Sequence, residues 1–253
     1  MSAKVLVFIR HGESEGNVIV RKLKAQGGGD FPLTYQKTPD REIRLSHAGR
    51  IQCEAVAMFL KKTYAKVDSI YSSDHTRAKE TCALVCAKAG YQTRVQVDPQ
   101  LSERSWGRFH ELSSLKRSEI YKGLKRDPLH WPMPDGESLL QARVRARLAL
   151  ERLSREHLNQ VVVVFTHGEF MECVWAEILS MRSEEQREFT GNIKNGQVVE
   201  FKSEGGKFTC LRSSNPPLGR WGDWQDVKKK TLAPEELLAE VKLYPHLIEE
   251  NEE

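Results

Sequence analysis

Two short apolar runs, each ended by a histidine and a glycine, constrain this chain more than any other feature. Val5-Leu6-Val7-Phe8-Ile9 leads into Arg10-His11-Gly12, and Val161-Val162-Val163-Val164-Phe165 leads into Thr166-His167-Gly168. Continuous apolar runs of five residues, rich in β-branched side chains, read as strands buried on both faces. Such strands need a helical layer on each side.

The rest of the chain supplies helices between further strands. Ser46 is a candidate N-cap, after which Ile51, Ala55, Met58 and Phe59 keep helical spacing to about Tyr64. Ser69-Ile70-Tyr71-Ser72 reads as a second strand, Thr76 to Ala89 as a helix ended by Gly90, and Val95 with Val97 as a third strand. Leu112 to Lys125 is a weaker helix. Ser138 to His157 is amphipathic, with Leu139, Leu140, Val144, Leu148 and Leu153 on its apolar side. Glu169 to Ser180 is helical, two strands are expected near Gln197 to Lys202 and Lys207 to Arg212, and Pro234 opens a last short helix, Glu235 to Val241. Arg10 to Asn17 reads as a polar loop and residues 24–43 as an irregular surface excursion. Alternation of strand and helix predicts an α/β fold with a mostly parallel sheet.

Bulk properties narrow the partners. A net charge of +4 over 253 residues fits an anionic small-molecule ligand and is too weak to argue for nucleic acid; Lys228-Lys229-Lys230 reads as solvated surface. Five cysteines (Cys53, Cys82, Cys86, Cys173, Cys210) at irregular spacing, with no CxxC, suggest free thiols and no zinc. No run is long enough for a membrane span and no leader is evident, so a cytoplasmic location is expected.

In open α/β sheets ligands bind beyond the carboxyl ends of the strands. If the two histidine-tipped strands are neighbours, His11 and His167 converge there, each followed by a glycine that lets backbone approach a ligand, and the helix after His167 offers its amides to an anion. Arg77 falls in the first turn of the helix after the second strand, where its planar fork suits phosphate. Glu103, in Leu101-Ser102-Glu103-Arg104-Ser105-Trp106-Gly107, puts a carboxyl near an aromatic ring that could raise its pKa into the range of an acid. Each group alone reads more simply as packing or surface; four at four strand-to-helix junctions read as an anion site.

This constellation resembles the histidine phosphatase superfamily, the phosphoglycerate-mutase-like proteins. The resemblance runs through Arg10-His11-Gly12-Glu13-Ser14-Glu15-Gly16-Asn17, Arg44-Leu45-Ser46-His47-Ala48-Gly49-Arg50-Ile51-Gln52, Tyr71-Ser72-Ser73 to Arg77-Ala78 with Thr81, Glu103 to Gly107, Asp135-Gly136-Glu137-Ser138 and Thr166-His167-Gly168. It implies a three-layer α/β/α sandwich over residues 1–215 with cap insertions at about 18–43 and 108–137, and a C-terminal extension, 216–253, packed on the core or partly flexible. It implies catalytic roles for His11, Glu103 and His167 and phosphate binding by Arg10, Asn17, Arg77 and Gly168, with neither metal nor cofactor. His11 would become phosphorylated and Glu103 would protonate the leaving oxygen, then activate water.

A phosphomonoesterase acting on a small phosphorylated substrate or a phosphoprotein is the leading expectation. A cofactor-dependent phosphoglycerate-type mutase and an idle phospho-ligand binder remain alternatives. The family's mutases carry a tryptophan-containing segment after the Asn17 position and a WRRS-like stretch after the acid loop; Val18-Ile19-Val20 follows Asn17 here and no such stretch follows Glu103, which favours the phosphatase. A homodimer stays open. His47, His110, His130, His157 and His246 read as surface or core residues, as does His75 unless its place beside Arg77 brings it to the pocket. Trp131, with Pro132-Met133-Pro134, is expected to act as a lid. Trp221 and Trp224 carry no assignable role.

Overall fold

Alternate residues of the first strand face opposite layers, so the run has to be apolar throughout. In the computed structural model, which describes residues 4–182, 185–186, 193–204, 207–213 and 230–241, β1 (Lys4–Arg10) sends Leu6 and Phe8 into one core and Val7 and Ile9 into the other. The remaining strands are β2 (Ser69–Ser72), β3 (Val95–Val97), β4 (Val161–Thr166), β5 (Val198–Glu204), β6 (Lys207–Ser213) and β7 (Lys230–Leu232). They form one sheet in the order β6-β5-β1-β4-β2-β3-β7. The central four, β1, β4, β2 and β3, are mutually parallel. Antiparallel pairing is confined to the flanks, through β5 and β6 on one side and β7 on the other. The mostly parallel α/β sheet expected from the alternating pattern is observed, and so is the three-layer α/β/α sandwich that the resemblance implies.

One face of the sheet carries α6 (Leu139–Glu156) and α7 (Gly168–Ile178); the other carries α3 (His47–Thr63), α4 (Thr76–Ala89) and α8 (Pro234–Val241). α4 lies between α3 and α8 and is buried almost throughout. It stops at Gly90 in the left-handed conformation, φ 83°. α8 and β7 belong to the expected extension: Leu237 is buried with the α4 core and β7 closes the β3 edge. Trp221, Trp224 and His246 lie outside the described residues.

Three sequence readings need correction. The loop expected over Arg10 to Asn17 ends early: Ser14 caps α1 (Glu15–Ala25), so Glu15, Gly16 and Asn17 are already helical, and a capping box with Asn17 starts it. The excursion that follows holds a short helix, α2 (Leu33–Lys37), and a 3₁₀ turn, Asp40–Glu42. On α3 the buried face is Cys53, Val56, Ala57 and Leu60, while Ile51 and Met58 are 58% and 67% exposed. On α6 the buried face is Leu139, Ala142, Ala146, Ala149, Leu150, Arg152 and Leu153, and Leu140, Val144 and Leu148 face outward. In both helices small residues form the contact because they let the helix axes approach their neighbours. The weaker helix is α5 (Ser114–Arg126), within residues 108–137, the second of the expected cap segments.

Candidate active site

The loop after β1 is held by packing that only glycine allows. A Cβ at Gly12 would stand 2.4 Å from the Gly49 carbonyl, and one at Gly49 would stand 2.0 Å from the Glu13 carbonyl. The Glu13 amide donates to Gln52 Oε1 at 2.8 Å, the Ser46 amide to Glu13 O at 2.9 Å, and the Gly12 amide to Thr81 Oγ1 at 3.1 Å. So the glycine beside His11 serves close approach of backbone to backbone, not to a ligand as the sequence suggested. Gly49, Gln52 and Thr81, present in the motifs, position His11.

Because Arg10 and Thr166 are register partners of parallel neighbours, His11 and His167 come next together. Their rings meet edge to face at 5.1 Å, and His75 meets His167 at 4.7 Å. A cleft of about 1170 Å³ opens at these strand ends and is lined by Arg10, His11, Asn17, Arg77, Glu103 and Gly168 among others. His167 is fully buried beside them rather than lining the cleft.

The tautomer of His11 follows from geometry. Its Nδ1 lies 2.6 Å from the Gly12 carbonyl, which can only accept. The proton is therefore on Nδ1, and Nε2 carries a lone pair. Burial, then Arg77 and Arg10, push the ring pKa well below the ordinary value, so the imidazole is neutral at physiological pH. Burial lowers His167 in the same way, helped by His75, Arg77, His11 and Arg10. His167 Nε2 is 2.8 Å from Ser73 Oγ, and its Nδ1 has no hydrogen-bond partner among the described residues.

Two cations frame His11. Arg10 donates from Nη1 to Ile193 O at 2.5 Å, and its guanidinium rests on Gly168, where a Cβ would stand 3.1 Å from Cζ. Arg77 forks onto Asp40, with Nη2 to Oδ2 at 2.9 Å and Nη1 to the Asp40 carbonyl at 2.6 Å. Burial would raise the Asp40 carboxyl, but Arg77 and His75 outweigh it and hold it far below the usual carboxylate range. His75 Nε2 is 3.1 Å from Asp40 Oδ2; burial and Arg77 lower this imidazole, but Asp40 and Asp74 prevail and raise it.

Asn17 Oδ1 accepts from the Ser14 amide at 3.1 Å and from Asn195 Nδ2 at 3.0 Å. That leaves the Asn17 NH₂ as the group to offer a ligand. Asn195 also reaches the carbonyls of His11 and Gly12, each at 3.3 Å, from the turn before β5.

The loop after β3 is pinned from α6. Arg145 donates to the carbonyls of Gln100, Ser102 and Glu103 at 3.0, 2.7 and 3.0 Å and pairs with Glu137 at 2.7 Å. Glu137 in turn accepts the Ser105 amide at 2.8 Å. Trp106 donates its indole N–H at 2.8 Å to Glu169, so the carboxyl held against that aromatic ring is Glu169 and not Glu103.

Residues 6–216 match the profile of the histidine phosphatase superfamily, branch 1. The chain belongs to this superfamily. Phosphoglycerate mutase-like protein 4 of Arabidopsis thaliana is 34% identical over 168 residues, which are 64% of this chain and 66% of that one. The metal-independent phosphoserine phosphatase of the same plant is 31% identical over 198 residues, 76% of this chain and 74% of that one. A mycobacterial glucosyl-3-phosphoglycerate phosphatase superposes with a TM-score of 0.65 at 22% identity, covering 87% of this chain and 99% of that one; the likeness is one of fold.

In this member of the superfamily the cleft is lined by further residues, of which the sequence had pointed only to His75, through its place beside Arg77. His75 and His110 both line the cleft, as do Tyr35 and Asp40 from the first cap segment and Phe109 and Tyr121 from the second. Trp131 is absent from the lining; it packs on Gly123 of α5, under Arg126 at 5.4 Å, and is no lid. Asn195 had one local signal, the turn-forming Asn195-Gly196 pair before a strand. Asp40 and Glu169 had none, because each gains its partner from a distant segment. Among the described residues no group of three or more His, Cys, Asp or Glu is arranged to hold a metal ion, and no helix is long and apolar enough to cross a membrane.

Proposed function

We propose that this site hydrolyses phosphate monoesters through a phosphohistidine on His11. The observation that carries the reading is the fixed tautomer: a neutral imidazole with its Nε2 lone pair beside two arginines. Imidazole in that state is a competent nucleophile, and the arginines meet the spread negative charge of a phosphoryl transition state.

Nε2 attacks phosphorus while the ester oxygen leaves. Arg10 and Arg77 hold the phosphoryl oxygens, with the Asn17 NH₂ and the Gly168 amide at the start of α7 as further donors. His167, buried against His11, stabilises the same charge. Glu103 delivers a proton to the departing oxygen and later takes one from the water that cleaves the phosphohistidine. Side-chain cations supply the charge neutralisation, so the reaction runs without a metal. The cap segments 18–43 and 108–137 hold the alcohol part of a small phosphorylated substrate. Four buried free thiols, Cys53, Cys82, Cys86 and Cys173, support a reducing, cytosolic location.

Release of inorganic phosphate from 4-nitrophenyl phosphate tests the proposal. Wild type should turn over equally with and without a chelator, and His11→Ala should lose at least about 10³-fold. Retention of activity in His11→Ala would remove the phosphohistidine. Stimulation by bisphosphoglycerate with isomerisation of phosphoglycerate would select a mutase instead.

A further inference from the structure

Glu169 lines the cleft beside Glu103, and the mechanism above gives it no task. The two carboxyls have different partners. Glu103 accepts the backbone N–H groups of Arg104 at 3.1 Å, Phe170 at 3.0 Å and Glu169 at 3.4 Å. Both of its oxygens are thus acceptors, two of the donors coming from the positive end of α7. That environment suits a carboxylate, whereas a general acid must begin with a proton. Among the described residues Glu169 accepts only the Trp106 indole N–H, at 2.8 Å, and it stands 3.6 Å from the Arg104 guanidinium, with its side chain 18% exposed. Two neighbouring carboxyls in a largely dry site do not both ionise readily, and one shared proton is the lower-energy state.

We infer that Glu169 is the proton store of the reaction, sharing one proton with Glu103, which passes it to the ester oxygen. The inference rests on the phosphatase reading above. In the first half-reaction the His11 Nε2–P bond forms and the P–O bond breaks. The ester oxygen leaves with the bonding pair and takes the pair's one proton, which Glu169 passes to Glu103 and Glu103 delivers. An alcohol and two carboxylates result. In the second half, water returns one proton to the pair as its oxygen bonds phosphorus. The P–N bond breaks, its electron pair goes back to Nε2, and inorganic phosphate is released.

The groups around Glu169 set its titration. Burial and the charge of Glu103 raise it to about 7, against the pull of Arg104, the Trp106 N–H and Arg10; Tyr121 of α5 and Cys173 of α7 also face it. Glu169 is therefore about half protonated at neutral pH and loses its proton as the pH rises further.

The test combines a titration with kinetics. With ¹³C-labelled glutamate side chains, wild type should show one carboxyl signal titrating near pH 7 that is missing in Glu169→Gln. For an alkyl phosphate at pH 7, Glu169→Gln should lose kcat by about 100-fold, while 4-nitrophenyl phosphate, whose leaving group needs no proton, should change by less than about threefold. Trp106→Phe removes a donor that favours ionised Glu169, so it should move both the signal and the basic limb of the kcat profile to higher pH. Absence of the signal in an active wild type, equal losses on both esters, or an unmoved profile in Trp106→Phe would each overturn the store while leaving the phosphatase intact. A wild type that shows the signal but hydrolyses neither ester would overturn the phosphatase reading, and the store with it.

Discussion

Asp40 occupies the fork of Arg77, the group best shaped to take two phosphate oxygens. A carboxylate there also touches His75. On the proposed reading, an incoming phosphate competes there with a resident anion from the 3₁₀ turn Asp40–Glu42. Asp40→Asn keeps the shape and removes the charge. Inorganic phosphate should then inhibit about fivefold more tightly, since a half-exposed ion pair contributes on the order of 1 kcal/mol. An unchanged product-inhibition constant would show that phosphate binds without displacing Asp40. None of this was readable from Asp40 itself, which sits among Pro39, Arg41 and Glu42 with no pattern around it.

Among the elements, α6 does more than cover the sheet. Its Arg145 ties three carbonyls of the loop that carries Glu103, and Glu137 before it fixes both Arg145 and Ser105. Arg145→Met keeps the length of the side chain and removes the donors, so the loop should shift. A displacement of about 1 Å costs about 100-fold in kcat, and steady-state kinetics with an alkyl phosphate should show it. A kcat close to wild type would mean that packing alone positions Glu103. α6 also shows why helix faces were misread. Arg152, fully buried, pairs with Asp98 of the loop after β3 and reaches Gln100 Oε1 at 3.1 Å. A pattern that ranks residues by hydrophobic size places arginine outside and Leu140, Val144 and Leu148 inside. The paired charge and the small contact residues reverse that order.

The whole molecule should feel its buried histidines as acid sensitivity. His11 and His167 are held neutral in the fold, with pKa values well below the ordinary 6.5 of the unfolded chain. As pH falls below that value, the unfolded state binds two protons that the native state does not. At about 1.36 kcal/mol per pH unit for each proton, the two histidines alone would cost about 2.7, but Glu169, raised to about 7, keeps in the fold a proton that the unfolded chain gives up and offsets one of them, so stability should drop by about 1.4 kcal/mol per pH unit. His75, raised in the fold, keeps its proton there while the unfolded imidazole gains one as pH falls through 6.5, so it opposes the loss at the top of this window and adds no slope well below it; its stabilisation is lost as pH rises through its folded value. Urea midpoints between pH 6.5 and 5 measure the slope, and His167→Gln should remove about 1.4 kcal/mol per pH unit from it, leaving it nearly flat. The sequence alone determined the buried strands, their order of junctions and the residues at each tip, because strand burial depends on a local run and a tip on the residue that follows. Only the tertiary structure decided what those tips meet. Asp40 and Arg77 are 37 residues apart, Glu103 and Phe170 67, and His11 and Asn195 184. The sheet order β1-β4-β2-β3 brings such groups within bonding distance, and no local pattern encodes contacts that long.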